Sequence, residues 1–221
     1  MPVEPPPSRF RFPSPTTSDD DVVAVGGDLE PGTLLMAYRS GLFPMHLPDG
    51  RLGWWSPLRR GVLPLDGMTV SRSLRKSYGR FSYTVDTDPG AVIAGCSDPS
   101  RTQGWITPEI SAAYLRLQHL GWVHSIEVWS STGELAGGLY GVGIGGLFAG
   151  ESMFTRRSDA SKCALLHLVE LLRNGGATLL DTQWATTHLQ SLGVIELDRS
   201  DYLAQLRDAL THQGPWGLGD R

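Results

Sequence analysis

Cysteine is scarce in this chain of 221 residues, which carries only Cys96 and Cys163. Two isolated thiols are too few for a disulfide framework or a thiolate zinc site. The six histidines are scattered, with no ligand spacing to nearby acids, so no metal centre is expected. No apolar run approaches the roughly 18 residues of a membrane-spanning helix, and the Pro-rich, polar N-terminus lacks the pattern of a signal peptide. A cytoplasmic protein with no membrane partner is expected. A G-x-S-x-G nucleophile elbow and a Walker loop are both missing, which removes the commonest serine-hydrolase and phosphate-loop readings. The formal net charge of -4 argues against indiscriminate nucleic-acid binding, although where charges lie matters more than their sum.

What is present reads as an ordinary folded chain, 40% hydrophobic and 19% charged, long enough for one large or two small cores. Residues 1–21 (MPVEPPPSRFRFPSPTTSDDD) are dominated by proline, serine and acid and are expected to form an extended or mobile arm. Residues 22–67 read as a small α+β lobe, with a short helix over 33–40, a GLFPM turn and the WWSP motif at Trp54 and Trp55. Adjacent tryptophans serve either as core or as a platform for a flat ring, because aromatic faces stack bases. From 51 to 85 seven bases, Arg51, Arg59, Arg60, Arg72, Arg75, Lys76 and Arg80, meet a single acid, Asp66. The 71–80 segment (SRSLRKSYGR) reads as a basic helix that is either a solvated face or a phosphate-binding one. Helices follow over 88–96 and 108–120, separated by GWIT with Trp105, and then a strand over 123–129. Residues 68–210 are expected to form one larger α/β (α+β) domain, and 211–221 a loose tail.

The most informative stretch is 137–183. Two β-type runs, 135–144 and 147–154, are joined at Gly145-Gly146, a pair that supplies the positive φ of a tight hairpin turn. Strand alternation puts Gly137, Leu139, Gly141 and Gly143 on one nearly bare face, where a ligand or another backbone is expected to approach. The same rule puts Glu151 and Met153 on one face of the second run, with Phe148 and Phe154 on the other. Helical spacing over 158–173 ends at Gly175-Gly176. A strand over 177–183 then completes a β-loop-α-β unit whose outer strands should be parallel. Asp181 and Gln183 share a face there, with Thr182 opposite.

Such a site offers Glu151 and the pair Asp181 and Gln183 beside apolar residues, without a strong base or nucleophile. It suits a donor that arrives already activated, where orientation supplies roughly 7 to 11 kcal/mol of the barrier lowering.

The same residues carry a family resemblance. GGLYGVGIGGLFAGESMF, DASKCALLHL, LLDTQ and HLQSLG, with VGGDL, AYRSGLFP, WWSP, SRSLRK, GWIT, AYLRL and HSIEVW, occur in order from Val25 to Leu206. Together they resemble the leucyl/phenylalanyl-tRNA–protein transferases. The resemblance implies a GNAT-like acyltransferase domain after a smaller N-terminal lobe. It also implies transfer of Leu or Phe from aminoacyl-tRNA to proteins with N-terminal Arg or Lys, which marks them for the N-end rule pathway. No cofactor is implied, and a monomer is expected. Carried over by position, Asp181 and Gln183 become the catalytic pair, with Gln183 engaging the acceptor amine and Asp181 polarising or orienting it. Orientation is the better chemical reading, because a neutral amide oxygen is a very weak base. Glu151 becomes the contact for the cationic acceptor end, and Leu139, Phe148 and Met153 the aminoacyl pocket. Trp54 or Trp55, with Trp105, become the adenosine platform, and Arg72, Arg75, Lys76 and Arg80 the tRNA-facing bases. The family's DCQ reads DTQ here, its FPW reads FPM at Met45, and its GTWI reads QGWI around Gln103. The second change bears on packing near the adenosine, the third on local backbone contacts.

Two rival readings differ in what they leave without a task. An acetyl-CoA-dependent N-acetyltransferase would need a glycine-rich loop before the helix, where TRRSDA stands. A non-catalytic RNA-binding module would leave Glu151, Asp181 and Gln183 unused.

Overall fold

The structure is a computed structural model that describes residues 1–99 and 104–217. Gln103, and residues 218–221 of the expected tail, lie outside the described residues. Two sheets organise the chain. The small one is antiparallel and runs in the order β1 (Val22–Val25), β3 (Leu52–Trp55), β2 (Phe43–His46). Helix α1 (Pro31–Arg39) precedes β2, opening on a proline that lacks only an N–H the first turn leaves unbonded anyway.

The large sheet has seven strands, β4 (Arg59–Val62), β5 (Ser82–Val85), β6 (Val123–Trp129), β7 (Leu135–Ile144), β8 (Leu147–Thr155), β9 (Leu179–Gln183) and β10 (Ile195–Asp198). Their spatial order is β10-β4-β9-β8-β7-β6-β5. Only β8 and β9 are parallel, joined through helix α5 (Ala160–Asn174); the hairpin β7–β8 turns at Gly145, whose φ is 58°. On one face lie α1, α3 (Pro89–Cys96) and α4 (Pro108–His119); α5 covers the other, and α2 (Arg72–Tyr78) packs on α5. Helix α7 (Arg199–Ala209) seals the β4, β9 and β10 edge through Tyr202, Leu203 and Leu206. This is a mixed α/β arrangement, as expected for the larger domain. The expected division near 67–68 falls after β4, yet β4 is a strand of the large sheet, flanked by β9 and β10.

The pairing of β8 with β9 covers only Leu147 to Ala149 against Leu179 to Asp181. Beyond that point the strands part, and each carries an extra residue against its other neighbour. On β8, Gly150 and Ser152 oppose Gly141 and Tyr140, leaving Glu151 as a bulge. On β9, Asp181 and Gln183 oppose the adjacent Val62 and Gly61, leaving Thr182 as another. A bulge shifts alternation by one residue and re-aims side chains. Phe148 and Phe154, expected on one face, therefore pack in different cores, Phe148 under α5 and Phe154 against α3. Glu151 and Met153 part in the same way, Glu151 toward α1 and α4 and Met153 toward the α5 side.

The glycine-rich face of β7 is not bare. A Cβ on Gly137 would sit 2.7 Å from Ala160 Cβ, one on Gly141 2.3 Å from the Ala149 carbonyl, and one on Gly143 2.4 Å from the Trp216 ring. These glycines admit a helix start, a neighbouring strand and the C-terminal tail, so the close approach at those positions is made by the protein itself. Trp216 stacks on His124 with ring centres 3.8 Å apart, which makes the described part of the tail a docked element.

The first 21 residues, which include a 3-10 turn over Pro15–Thr17, lie bound along the body. The Val3 N–H donates to the Leu120 carbonyl at 2.8 Å, and the Trp122 indole donates to the Val3 carbonyl. Phe12 packs on Trp54. Buried Arg199 donates to the carbonyls of Pro15, Ser18 and Asp20, and to that of Ser56. No described helix is long and apolar enough to cross a membrane.

Candidate active site

Where β8 and β9 separate, two adjoining cavities open. The larger, about 550 Å³, is lined from the small lobe by Phe43, Pro44 and Met45, and from the other side by Trp105, Gln183, Trp184 and Leu189. The smaller, about 110 Å³, is apolar, with Leu139, Met153, Leu165, Leu168 and Leu180 in its walls. Glu151, Thr182, Gln183 and Leu189 line both, so they form the junction.

Glu151 is held by two phenols. Tyr38 on α1 donates to Oε1 at 2.7 Å and Tyr114 on α4 donates to Oε2 at 2.8 Å, which uses both phenolic protons, and the two hydroxyl oxygens lie in close contact. Burial pushes the Glu151 carboxyl up to about 7; the two phenols pull the other way without offsetting it. Burial, and then the neighbouring Glu151, push both phenols well above their ordinary range, so they remain donors.

Asp181 has no exposed surface and lines neither cavity. It accepts from Arg60 Nε at 2.8 Å, Arg60 Nη2 at 2.6 Å, the Tyr202 hydroxyl at 2.9 Å and the Gln183 backbone N–H at 2.9 Å. Burial, the largest influence, would lower the Arg60 guanidinium, but Asp181, Tyr202 and Glu151 together outweigh it and the net shift is upward. That guanidinium lies between two rings, 4.8 Å from the centre of Phe43 and 4.4 Å from that of Tyr202. Asp181 and Gln183 were expected to share a face. Gln183 instead adopts a φ of 58°, which breaks strand alternation, so Gln183 and Thr182 line the cavities while Asp181 turns toward Arg60. The Gln183 Nε2 is buried without a hydrogen-bond partner among the described residues, a costly condition for a polar group.

The other expected residues divide. Leu139 and Met153 stand in the apolar cavity, whereas Phe148 is fully buried, in contact range of the Gly141 position, and lines neither cavity. Trp105 lines the larger cavity. Trp55 stands edge-on to the cavity residue Trp184, with ring centres 6.0 Å apart. Trp54 is corrected: it is fully buried and its indole donates to the Gly26 carbonyl at 2.7 Å, so it has no face left for a base. Arg72, Arg75, Lys76 and Arg80 are exposed on or just after α2, form no ion pair among the described residues, and line neither cavity. The sequence reading missed Arg60 as a site residue, and with it Tyr38, Tyr114, Tyr202 and Leu189. Only Arg60 left a trace there, as one base in a run; the phenols come from distant helices. Among the described residues no group of three or more His, Cys, Asp or Glu could hold a metal ion.

The model of the leucyl/phenylalanyl-tRNA protein transferase family matches residues 62–207, and that of its N-terminal domain matches residues 27–58. A leucyl/phenylalanyl-tRNA–protein transferase of Ruegeria pomeroyi is 51% identical over 186 residues, 82% of this chain and 87% of its own length. That of Aromatoleum aromaticum is 48% identical over 200 residues, 89% and 84% of the two chains. That of Anaeromyxobacter sp. (strain K) is 43% identical over 228 residues, 99% and 97%.

Proposed function

Because the chain belongs to the leucyl/phenylalanyl-tRNA protein transferase family, we propose that it moves a leucyl or phenylalanyl group from tRNA to the α-amine of proteins that begin with Arg or Lys. In the cell the product would enter the N-end rule pathway, and the reaction would run in the cytoplasm on a monomer. The amine nitrogen attacks the ester carbonyl, the carbon–oxygen bond to the terminal ribose breaks, and the amine's proton ends on the released ribose hydroxyl. The ester is already activated, so the protein's task is alignment.

The observation that carries this reading is the junction of the two cavities at Gln183 and Glu151. The apolar cavity suits a Leu or Phe side chain, with Leu139 and Met153 in its walls; Met adapts its shape to either. The larger cavity, with Trp105 and Trp184, suits the terminal adenosine, which stacks on aromatic faces. At the junction the Gln183 carboxamide meets the incoming amine, and Glu151 attracts the acceptor's cationic side chain. The exposed bases of α2 suit the acceptor stem, where each phosphate contact adds salt dependence. The test is incubation with leucyl-tRNA and a peptide beginning with Arg. Leucine should appear on the peptide only when the tRNA is charged, and acetyl-CoA should be neither consumed nor required. Tight RNA binding without transfer would instead leave a binding module.

A further inference from the structure

Asp181 bonds the backbone of the cavity residue Gln183, yet its surroundings leave it no room to act as a base. An ionised carboxylate offers about four acceptor sites. All are taken: two by Arg60, one by the Tyr202 hydroxyl and one by the Gln183 N–H. Accepting a proton would remove at least one of these donors and leave the buried Arg60 guanidinium short of a counter-charge. Arg60 itself cannot follow a moving partner, because the Phe43 and Tyr202 rings sandwich it and its Nη1 donates to the Gly41 carbonyl at 3.2 Å. Three elements, β2, β4 and α7, thus fix one carboxylate. Its remaining bond goes to the backbone of Gln183, a non-glycine residue at positive φ. That conformation costs roughly 1–2 kcal/mol, and it is what brings the Gln183 side chain to the cavity junction.

We propose that Arg60 and Tyr202 are positioning residues for the transfer reaction: they hold Asp181 as a saturated anchor that fixes the left-handed backbone of Gln183, and Asp181 takes no proton during turnover. The proposal rests on the transfer reading above. It goes beyond the family resemblance in giving Asp181's partners a task and in removing Asp181 from proton movement. Because a misplacement of about 1 Å at a reacting group costs about 100-fold in rate, the clamp acts on kcat rather than on binding.

The decisive comparison is Asp181→Asn against the double variant Arg60→Met with Asp181→Asn. In the single variant the new amide NH₂ confronts the Arg60 donors, and kcat should fall about 100-fold. The double variant removes those donors while an oxygen remains for the Gln183 N–H. Its kcat should recover at least tenfold over the single variant, with an unchanged acid limb in the pH–rate profile and unchanged aminoacyl-tRNA affinity. A folded double variant, shown by its melting curve, that stays as slow as the single one overturns the proposal, since a carboxylate would then be needed for its proton. Arg60→Lys serves should the double variant not fold: kcat should drop about 100-fold at unchanged acceptor KM, and an unaltered kcat overturns the clamp. Absence of transfer by the unaltered chain would remove the reaction itself, whereas transfer by that chain with no rescue removes only the positioning role.

Discussion

The hydroxyl of Tyr38 and the carboxylate of Glu151 meet at 2.7 Å across 113 residues of sequence. This bond ties the small lobe's helix to the bulge of β8, and Tyr114 repeats it from α4. The acid of the site is therefore set by the assembly of both lobes.

Stability should carry the mark of this acid. The folded-state value for Glu151 is raised to about 7 from the ordinary 4.5, chiefly by burial. A raised carboxyl binds its proton more tightly when folded, so its contribution is full below about pH 4.5 and is lost as pH rises through about 7. That rise corresponds to on the order of 3 kcal/mol. Melting curves from pH 4.5 to 8 should show this decline, and Glu151→Gln should flatten it. An equal decline in the variant would assign the effect elsewhere.

Function should shift in the opposite sense when the phenols go. Tyr38→Phe removes a donor that pulls the Glu151 carboxyl down, while Asp181 and Arg60 stay in place. The ionised range of Glu151 then retreats to higher pH. At pH 7 the KM for an Arg-starting peptide should rise several-fold and recover by pH 8.5, with tRNA affinity unaltered. A KM that ignores pH in this variant would take Glu151 out of acceptor binding.

The three tryptophans should separate by assay. Trp54→Ala removes a fully buried ring and should cost about 3–5 kcal/mol of stability. Trp105→Ala removes a cavity wall and should raise the KM for aminoacyl-tRNA with little change in melting temperature, and Trp55→Ala should fall between. Equal melting losses at Trp54 and Trp105 would contradict this division.

The tight glycine face gives a further check. Gly141→Ala would drive a methyl group toward the Ala149 carbonyl and the Phe148 ring. Overpacking of this kind costs about 1–3 kcal/mol, measurable by denaturant titration. A neutral variant would reopen that face as ligand space.

Much of the fold was legible because periodicity and turn chemistry are local. The Gly145-Gly146 hairpin, helix α5 and the parallel strand behind it all follow from residues within about one element of each other. Alternation failed at Glu151 and Thr182, because a bulge is set by partner strands and leaves strand composition unchanged. The failure at Gln183 has the same root: a positive φ on a non-glycine residue is held by Asp181, which is held in turn by Arg60 from a strand about 120 residues earlier. Trp54 and Trp55 were indistinguishable as a pair, since only tertiary packing decides which one faces inward. The glycines of β7 gave a true signal of close approach, but spacing could not say that the intruder would be Trp216.

Arg199 gathers carbonyls from Pro15, Ser18 and Asp20 at the start of the chain. During synthesis those residues emerge long before α7 does, and until α7 forms they lack the Arg199 guanidinium. The order of assembly is thus inverted at this seam, with the Pro15 to Asp20 segment settling fully only once α7 is in place. A nascent chain stalled before α7 would carry a protease-sensitive N-terminus, and would also lack the Tyr202 that braces Asp181.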